Sequence, residues 1–156
     1  MMERRKFLKG FTLIELLVVV SLIGVLATLV LANLSAARQR GRDAERKADL
    51  RNIQTALRIY YNDYGYYPTH QSTSISGCGT GGTSICVWGE SFASDIQTYM
   101  SVLPDDPLPS VSYYYQRLDP DDYVLRACLE NKSDEKGVED SGASWCPSKI
   151  IYEVKP

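Results

Sequence analysis

The chain has 156 residues, a formal net charge of −2 and a sequence pI of about 5.4, a size that suits one compact domain with an accessory segment and excludes two independent domains. Hydrophobic residues make up 44% of it, but a large part of that share lies between Phe11 and Leu34, so the rest must build a small core. Charge is sorted along the chain: Met1 to Gly10 is net +3, Arg38 to Arg51 is net +3, and Gly65 to Pro156 holds six basic and thirteen acidic residues, a balance that argues against direct nucleic-acid binding through the body.

The first predicted element is an apolar helix. A basic leader followed by an apolar run has the look of a secretory signal peptide, but such a peptide needs only a short apolar core and then a small-residue cleavage site. The run from Phe11 to Leu34 is 24 residues long, about 36 Å of helix against a hydrocarbon core of about 30 Å. It is therefore expected to span a bilayer, with the leader held in the cytoplasm by its positive charge and the acidic body outside. The helix is expected to continue, since no proline occurs from Ser35 to Tyr64. Ala37, Gly41, Ala44 and Ala48, followed by Ile53, Leu57, Tyr60 and Tyr64, recur at helical steps and predict one stripe, small near the membrane and bulky further out. Gly65 and Pro68 supply the stop. A helix from Phe11 to Tyr64 would be about 80 Å long, a stalk carrying a head.

The tyrosine-rich end of the stalk, "YYNDYGYYP", is read as a clamp of the helix onto a sheet in preference to a stacking platform for bases or sugars. Between Thr69 and Glu90 lies a loop rich in Gly, Ser and Thr; its "GCGTGGTS" lacks the GK[ST] ending of a phosphate loop. "SFASDIQTYMSVLPDDP" predicts a short amphipathic helix with Ser94 as N-cap, Ile96, Met100 and Leu103 inward, and Pro104 as the break. "VSYYYQR", "DYVLRAC" and "KIIYEV" predict short strands, the first two joined by the "RLDPDD" turn, in which Asp119, Asp121 and Asp122 act as turn residues. The fold class is α+β: a long N-terminal helix packed on a small antiparallel sheet.

Cys78, Cys86, Cys128 and Cys146 all fall in the acidic body. An even number downstream of a membrane segment points to disulfides, with free thiols and zinc as the alternatives; the chain has no CxxC pair and His70 has no neighbouring Cys or His. Of three possible connectivities, Cys78 to Cys86 with Cys128 to Cys146 is favoured because each closes a local loop. His70 likewise has no acid or nucleophile beside it in sequence, so no enzyme is expected.

Gly10 followed by "FTLIELLVVVSLIGVLA" resembles the class III signal of type IV pilins and of the major pseudopilins of type II secretion, and "ERKADLRNIQTALRIYYNDYGYYP" extends the resemblance to Pro68. The resemblance implies cleavage after Gly10 by a prepilin peptidase, N-methylation of Phe11, and an assembly role for Glu15, the fifth residue of the mature chain. It implies a division into a leader (1–10), a helix (11–64, of which 11–34 transmembrane and 35–64 an amphipathic stalk) and a head (65–156). It implies as partners identical subunits in a helical filament, the inner-membrane assembly machinery and membrane lipid. The location implied is the bacterial inner membrane, then a periplasmic or cell-surface filament. The competing expectation is a monomeric signal-anchored protein whose head binds a surface ligand.

Physics gives Glu15 a reason. Cleavage would leave an amine with a reference pKa near 8 at Phe11. A carboxylate 4 Å from such a cation gains roughly 4 kcal/mol at an effective dielectric of 20, comparable with the few kcal/mol that an isolated acid costs in a membrane helix. In a staggered stack the amine of an adjacent subunit can meet Glu15, so the pair specifies axial register. The chain departs from the family pattern at Ala32, where many members have proline, which makes melting of the helix between Gly24 and that position less expected. Major pseudopilins also bind calcium near the C-terminus; the acids available here are Glu130, Asp134, Glu135, Glu139 and Asp140, for which a solvated acidic loop is the favoured reading.

Overall fold

A computed structural model of the chain describes residues 10–156; the basic leader before Gly10 lies outside the described residues. One helix, α1, runs from Leu13 to Tyr64, 52 residues. Its start is fixed by a reciprocal capping box: the Glu15 N–H donates to Thr12 Oγ1 (3.2 Å), and Thr12 N–H donates back to Glu15 Oε2 (2.8 Å). Its end is fixed by Gly65, which takes a left-handed φ of 75° and donates its N–H to the Tyr61 carbonyl at 2.8 Å. Only glycine adopts that conformation without strain, so the sequence stops the helix where the stop signal was expected. The chain forms two compact units, one ending at Arg38 and one spanning Gln39–Pro156.

In the second unit, α1 packs on three small antiparallel sheets. Strands β1 (Thr69–Gln71), β2 (Ser74–Cys78) and β3 (Ser84–Ile85) form the first, and β4 (Phe92–Ala93) pairs with β5 (Thr98–Met100) in the second. Strands β6 (Tyr114–Asp119), β7 (Asp122–Cys128), β8 (Val138–Glu139) and β9 (Ile150–Val154) form the third, in the order β6-β7-β9-β8. The β6–β7 hairpin turns through Asp119 and Asp122, which pair directly, and β7 lies against β9 with Leu125 opposite Val154. This is the expected α+β class.

The core sits between α1 and these sheets. Leu50, Ile53, Leu57 and Tyr60 are at most 1% exposed and meet Ile75, Phe92, Leu103, Tyr115, Tyr123 and Leu125. Each such side chain contributes about 1.5–3 kcal/mol of burial free energy. The tyrosines act as the clamp: Tyr60 stacks on Tyr64 (4.3 Å between centroids) and on Phe92 (5.7 Å), and Tyr67 meets Tyr123 edge-on at 4.6 Å.

Three expectations require correction. The Ser91–Pro107 stretch is not a helix: Phe92, Tyr99 and Leu103 are its buried apolar residues, whereas Ile96 is 59% exposed. Ser94 does accept a backbone N–H, but from Ile96, two residues on, which makes a tight turn between β4 and β5 in place of a helix cap. The Thr69–Glu90 segment is not all loop, since β2 inserts Ile75 at 0% exposure and runs so close to α1 that a Cβ on Gly77 would sit 2.7 Å from Pro68 Cβ and 3.2 Å from Tyr60. Nor do the eight stalk residues share one stripe. Ala37, Gly41, Ala44 and Ala48 are exposed, while Ile53, Leu57 and Tyr60 are buried. The step of five from Ala48 to Ile53 turns the helix about 140° away from the first set.

Candidate functional site

Phe11 and the apolar half of α1 define the first functional region. Between Phe11 and Leu34 the large apolar side chains that the structure describes are exposed, Phe11 at 89% and Leu13 at 87%. The segment is long and apolar enough to cross a membrane. Its hydroxyls are satisfied internally: Ser21 donates to the Val18 carbonyl at 2.8 Å and Thr28 to the Val25 carbonyl at 2.7 Å, so neither presents an unmatched donor to an apolar environment.

Glu15 is the one ionisable residue in this stretch. Thr12 delivers two donors to the same oxygen, its backbone N–H at 2.8 Å and its hydroxyl at 2.9 Å, both on Oε2. Among the described residues Oε1 receives no donor. The cap thus fixes the rotamer of Glu15 and leaves one carboxylate oxygen available to a cation from outside its own turn. Gly10 and Phe11 precede the helix in exposed backbone.

A second set of residues fastens α1 to the head. Arg46 is 1% exposed, yet its guanidinium donates to Asp106 at 2.7 and 2.8 Å, to Asp43 at 2.8 Å and to Glu130 at 2.9 Å. Asp43 in turn accepts the backbone N–H groups of Glu130 (2.9 Å) and Asn131 (2.8 Å), and Arg42 forks onto Glu130 with two bonds of 2.7 Å. Burial by itself would lower the Arg46 pKa, but the hydrogen bonds it donates to Asp106, Glu130 and Asp43 outweigh that and hold the group above its ordinary value. Arg42 and then Arg46 hold Glu130 below the usual carboxylate range, against the opposing effect of burial. Lys47 does the same for Asp134, to which it donates directly.

Sequence reasoning missed this cluster because its partners lie 60 and 84 residues away from Arg46. A signal existed. Positions 43, 46, 50, 53, 57 and 60 continue the steps of three and four on the buried stripe, so Asp43 and Arg46 are charges placed where the core belongs.

The calcium candidates do not assemble. Glu130 and Asp134 are committed to Arg42, Arg46 and Lys47, Asp140 accepts the Gly142 N–H, and Glu135 and Glu139 are exposed. Among the described residues no group of three or more His, Cys, Asp or Glu side chains is arranged to hold a metal, and carboxylates already neutralised by guanidinium and ammonium lack the free oxygens that calcium requires. His70 lies exposed on β1, where its Nδ1 accepts the Arg117 N–H at 3.2 Å. Cys78 is bonded to Cys86 and Cys128 to Cys146, the two local pairs.

Fold and site together define a chain in two parts: a capped apolar half-helix whose side chains require lipid or other helices to cover them, and an α+β head closed on the other half. Residues 6–31 match the family described as the prokaryotic N-terminal methylation motif. The chain is 41% identical over 68 residues to the type IV wide pilus major component PilA4 of Thermus thermophilus, covering 44% of this chain and 52% of that protein. It is 39% identical over 61 residues to the type II secretion system core protein G of Escherichia coli K12, covering 39% of this chain and 42% of that protein. These two matches therefore span about half or less of those proteins. The core protein G of Aeromonas hydrophila matches along 93% of this chain and 96% of its own length at 28% identity. No solved structure matches. By motif and by these relatives, the chain is similar to type IV pilus and type II secretion core proteins, most clearly over its N-terminal part.

Proposed function

We propose that the chain is a structural subunit of a type IV pilus or a type II secretion pseudopilus, cut by a prepilin peptidase after Gly10, methylated at Phe11 and polymerised through α1. It works by assembly and carries no reaction of its own. The observation that carries this reading is the apolar half of α1, whose described large side chains are exposed and which begins with a capped glutamate whose Oε1 receives no donor among the described residues. In the subunit alone, that surface is covered by inner-membrane lipid. In the filament, neighbouring helices cover it, and the new amine of Phe11 in an adjacent subunit reaches Glu15. Pairing with a cation offsets the cost of keeping the acid among apolar helices, and because the pair forms at one displacement only, it sets axial register. The orientation that fits the charge asymmetry places the leader in the cytoplasm and the disulfide-bearing head on the oxidising side.

The test is a pair of measurements on the full chain in cells. Mass spectrometry should find a mature chain beginning with methylated Phe11, and Glu15→Ala should retain that processing while losing filaments in electron micrographs. Filaments of ordinary yield from Glu15→Ala would remove the register role. An unprocessed, solitary chain in native cells would favour the signal-anchored ligand-binding alternative instead.

A further inference from the structure

The outward side of α1 in the Gln39–Pro156 unit has a pattern of its own. Arg40, Arg51 and Arg58 are separated by 11 and 7 residues, together five turns at 3.6 residues per turn, so they fall within about 20° of one line along the helix. All three are exposed, and none has a carboxylate partner among the described residues. Beside that line run exposed small side chains, Ala44, Ala48 and Thr55, and then a shallow groove where Ile59 and Asn62 face Pro156. The arrangement differs from that of Arg42 and Arg46, which are each tied to head carboxylates.

The complementary charge exists in the same chain but at a different height. The turn joining β6 to β7 presents Asp119, Asp121 and Asp122 within four residues, next to a Leu118 that is 50% exposed. None of these acids has a cation partner among the described residues; Asp121 accepts only the Tyr61 hydroxyl, at 2.7 Å. That contact fixes the turn beside the end of α1, whereas the Glu130–Asp134 loop is fixed beside Arg42 and Lys47. Nineteen residues of helix, about 28 Å, separate the two levels. The turn sits level with Tyr61, beyond the far end of the arginine row, so its charge is aimed away from most of the row in its own chain. A parallel copy displaced along the axis would bring its turn level with that row.

We propose that the Arg40–Arg51–Arg58 line and the small-residue track beside it receive the Leu118–Asp122 turn of a second copy, with Leu118 lying over Ala44 and Ala48 and Asp119 meeting the arginines. This rests on the filament reading above and deepens it: the Phe11–Glu15 pair sets the displacement of one neighbour, while this contact joins the heads of a neighbour displaced further along the axis, by about 20–26 Å. Complementary charge of this kind fixes register and steers encounter, and it weakens with salt because it lies at the surface.

The test uses the full chain in cells that assemble it. All four native cysteines are bonded, so an introduced pair is free of competing thiols. Arg51→Cys with Asp119→Cys, treated with a short bifunctional maleimide, should give a ladder of multiples of the subunit, and either substitution alone should give none. Arg51→Asp with Arg58→Asp should cut filament yield at least tenfold, and adding Asp119→Arg should restore it to within about threefold. Filaments without a ladder would overturn this contact and leave the filament reading intact, as would charge reversal without effect. Absence of both filaments and ladder from chains carrying the cysteine pair, when the unaltered chain also forms no filaments, would overturn both. A ladder without filaments would retain the contact and sink the filament.

Discussion

Arg46→Met isolates the cluster that ties α1 to the head. The substitution removes four hydrogen bonds to carboxylates and leaves Asp106 at 0% side-chain exposure and Asp43 at 2% with no cation. Glu130 keeps Arg42 and is 22% exposed, so it relaxes toward water and adds little. Asp43 keeps two backbone donors from Glu130 and Asn131, which softens its loss. Asp106 keeps only one, the Leu108 N–H at 2.8 Å, and is the acid left most stranded. Breaking a buried pair from one side costs about 3–5 kcal/mol, which for a unit of this size lowers the unfolding midpoint by roughly 10–20 °C. Thermal or denaturant unfolding of the full chain in detergent would report it through Trp88, whose ring meets Tyr113 edge-on at 5.7 Å while the Tyr113 hydroxyl donates to Asp49 on α1. A loss of less than about 1 kcal/mol would refute the reasoning, because it would mean the acids find water that the burial denies them. Replacing both partners, Arg46→Met with Asp106→Leu, should recover more than half of the loss, since a fully apolar pair leaves no stranded charge.

Acid should loosen the same region. Glu130 and Asp134 titrate below their ordinary values in the folded chain, so the unfolded chain binds more protons as pH falls below the usual carboxylate range of about 4. Their contribution is thus complete above that range and is lost on further acidification. Asp49, pushed up by burial, gives back a little in the same window. A Glu130→Gln chain should show a shallower acid limb in a pH series of unfolding midpoints; an unchanged limb would contradict the assignment. Removing the Cys128–Cys146 bond, which closes 18 residues, should cost about 3 kcal/mol and more than removing the Cys78–Cys86 bond, which closes 8, as read from paired Cys→Ser variants. Gly77→Val should destabilise the head by about 2 kcal/mol or more, because its Cβ would collide with Pro68 and Tyr60; a neutral result would mean that β2 can move outward freely.

Local signals in the sequence were readable where one short stretch decides the outcome. Thr12 and Glu15 start the helix, Gly65 ends it, the Asp-Pro-Asp-Asp turn joins β6 to β7, and each disulfide closes its own neighbourhood. Readings failed where local period competes with packing at a distance. Ile96, Met100 and Leu103 have helical spacing, but the tyrosine clamp needs the Phe92 and Tyr99 rings in contact, 5.0 Å between centroids, and a hairpin delivers this where a helix would hold them about two turns apart along its axis. Arg46 could not be told apart from the other charges between Arg38 and Arg51, because the carboxylates that justify its burial include Asp106 and Glu130, far along the chain. Glu130 and Asp134 were likewise counted by type among the acidic loop, because the cations that hold them come from Arg42, Arg46 and Lys47 on α1.

The Thr12 cap carries one more implication. Under the proposed function, an isolated subunit resting in lipid would not show the bilayer a bare anion, because two donors from Thr12 shield one oxygen of Glu15. The acid would then be kept ready at low cost in a stored pool, and recruitment would have only to add an incoming charge at the other oxygen. Replacing Thr12 by valine would then shrink the reserve of insertable subunits before it altered any finished fibre, which separates the economy of storage from the strength of the product.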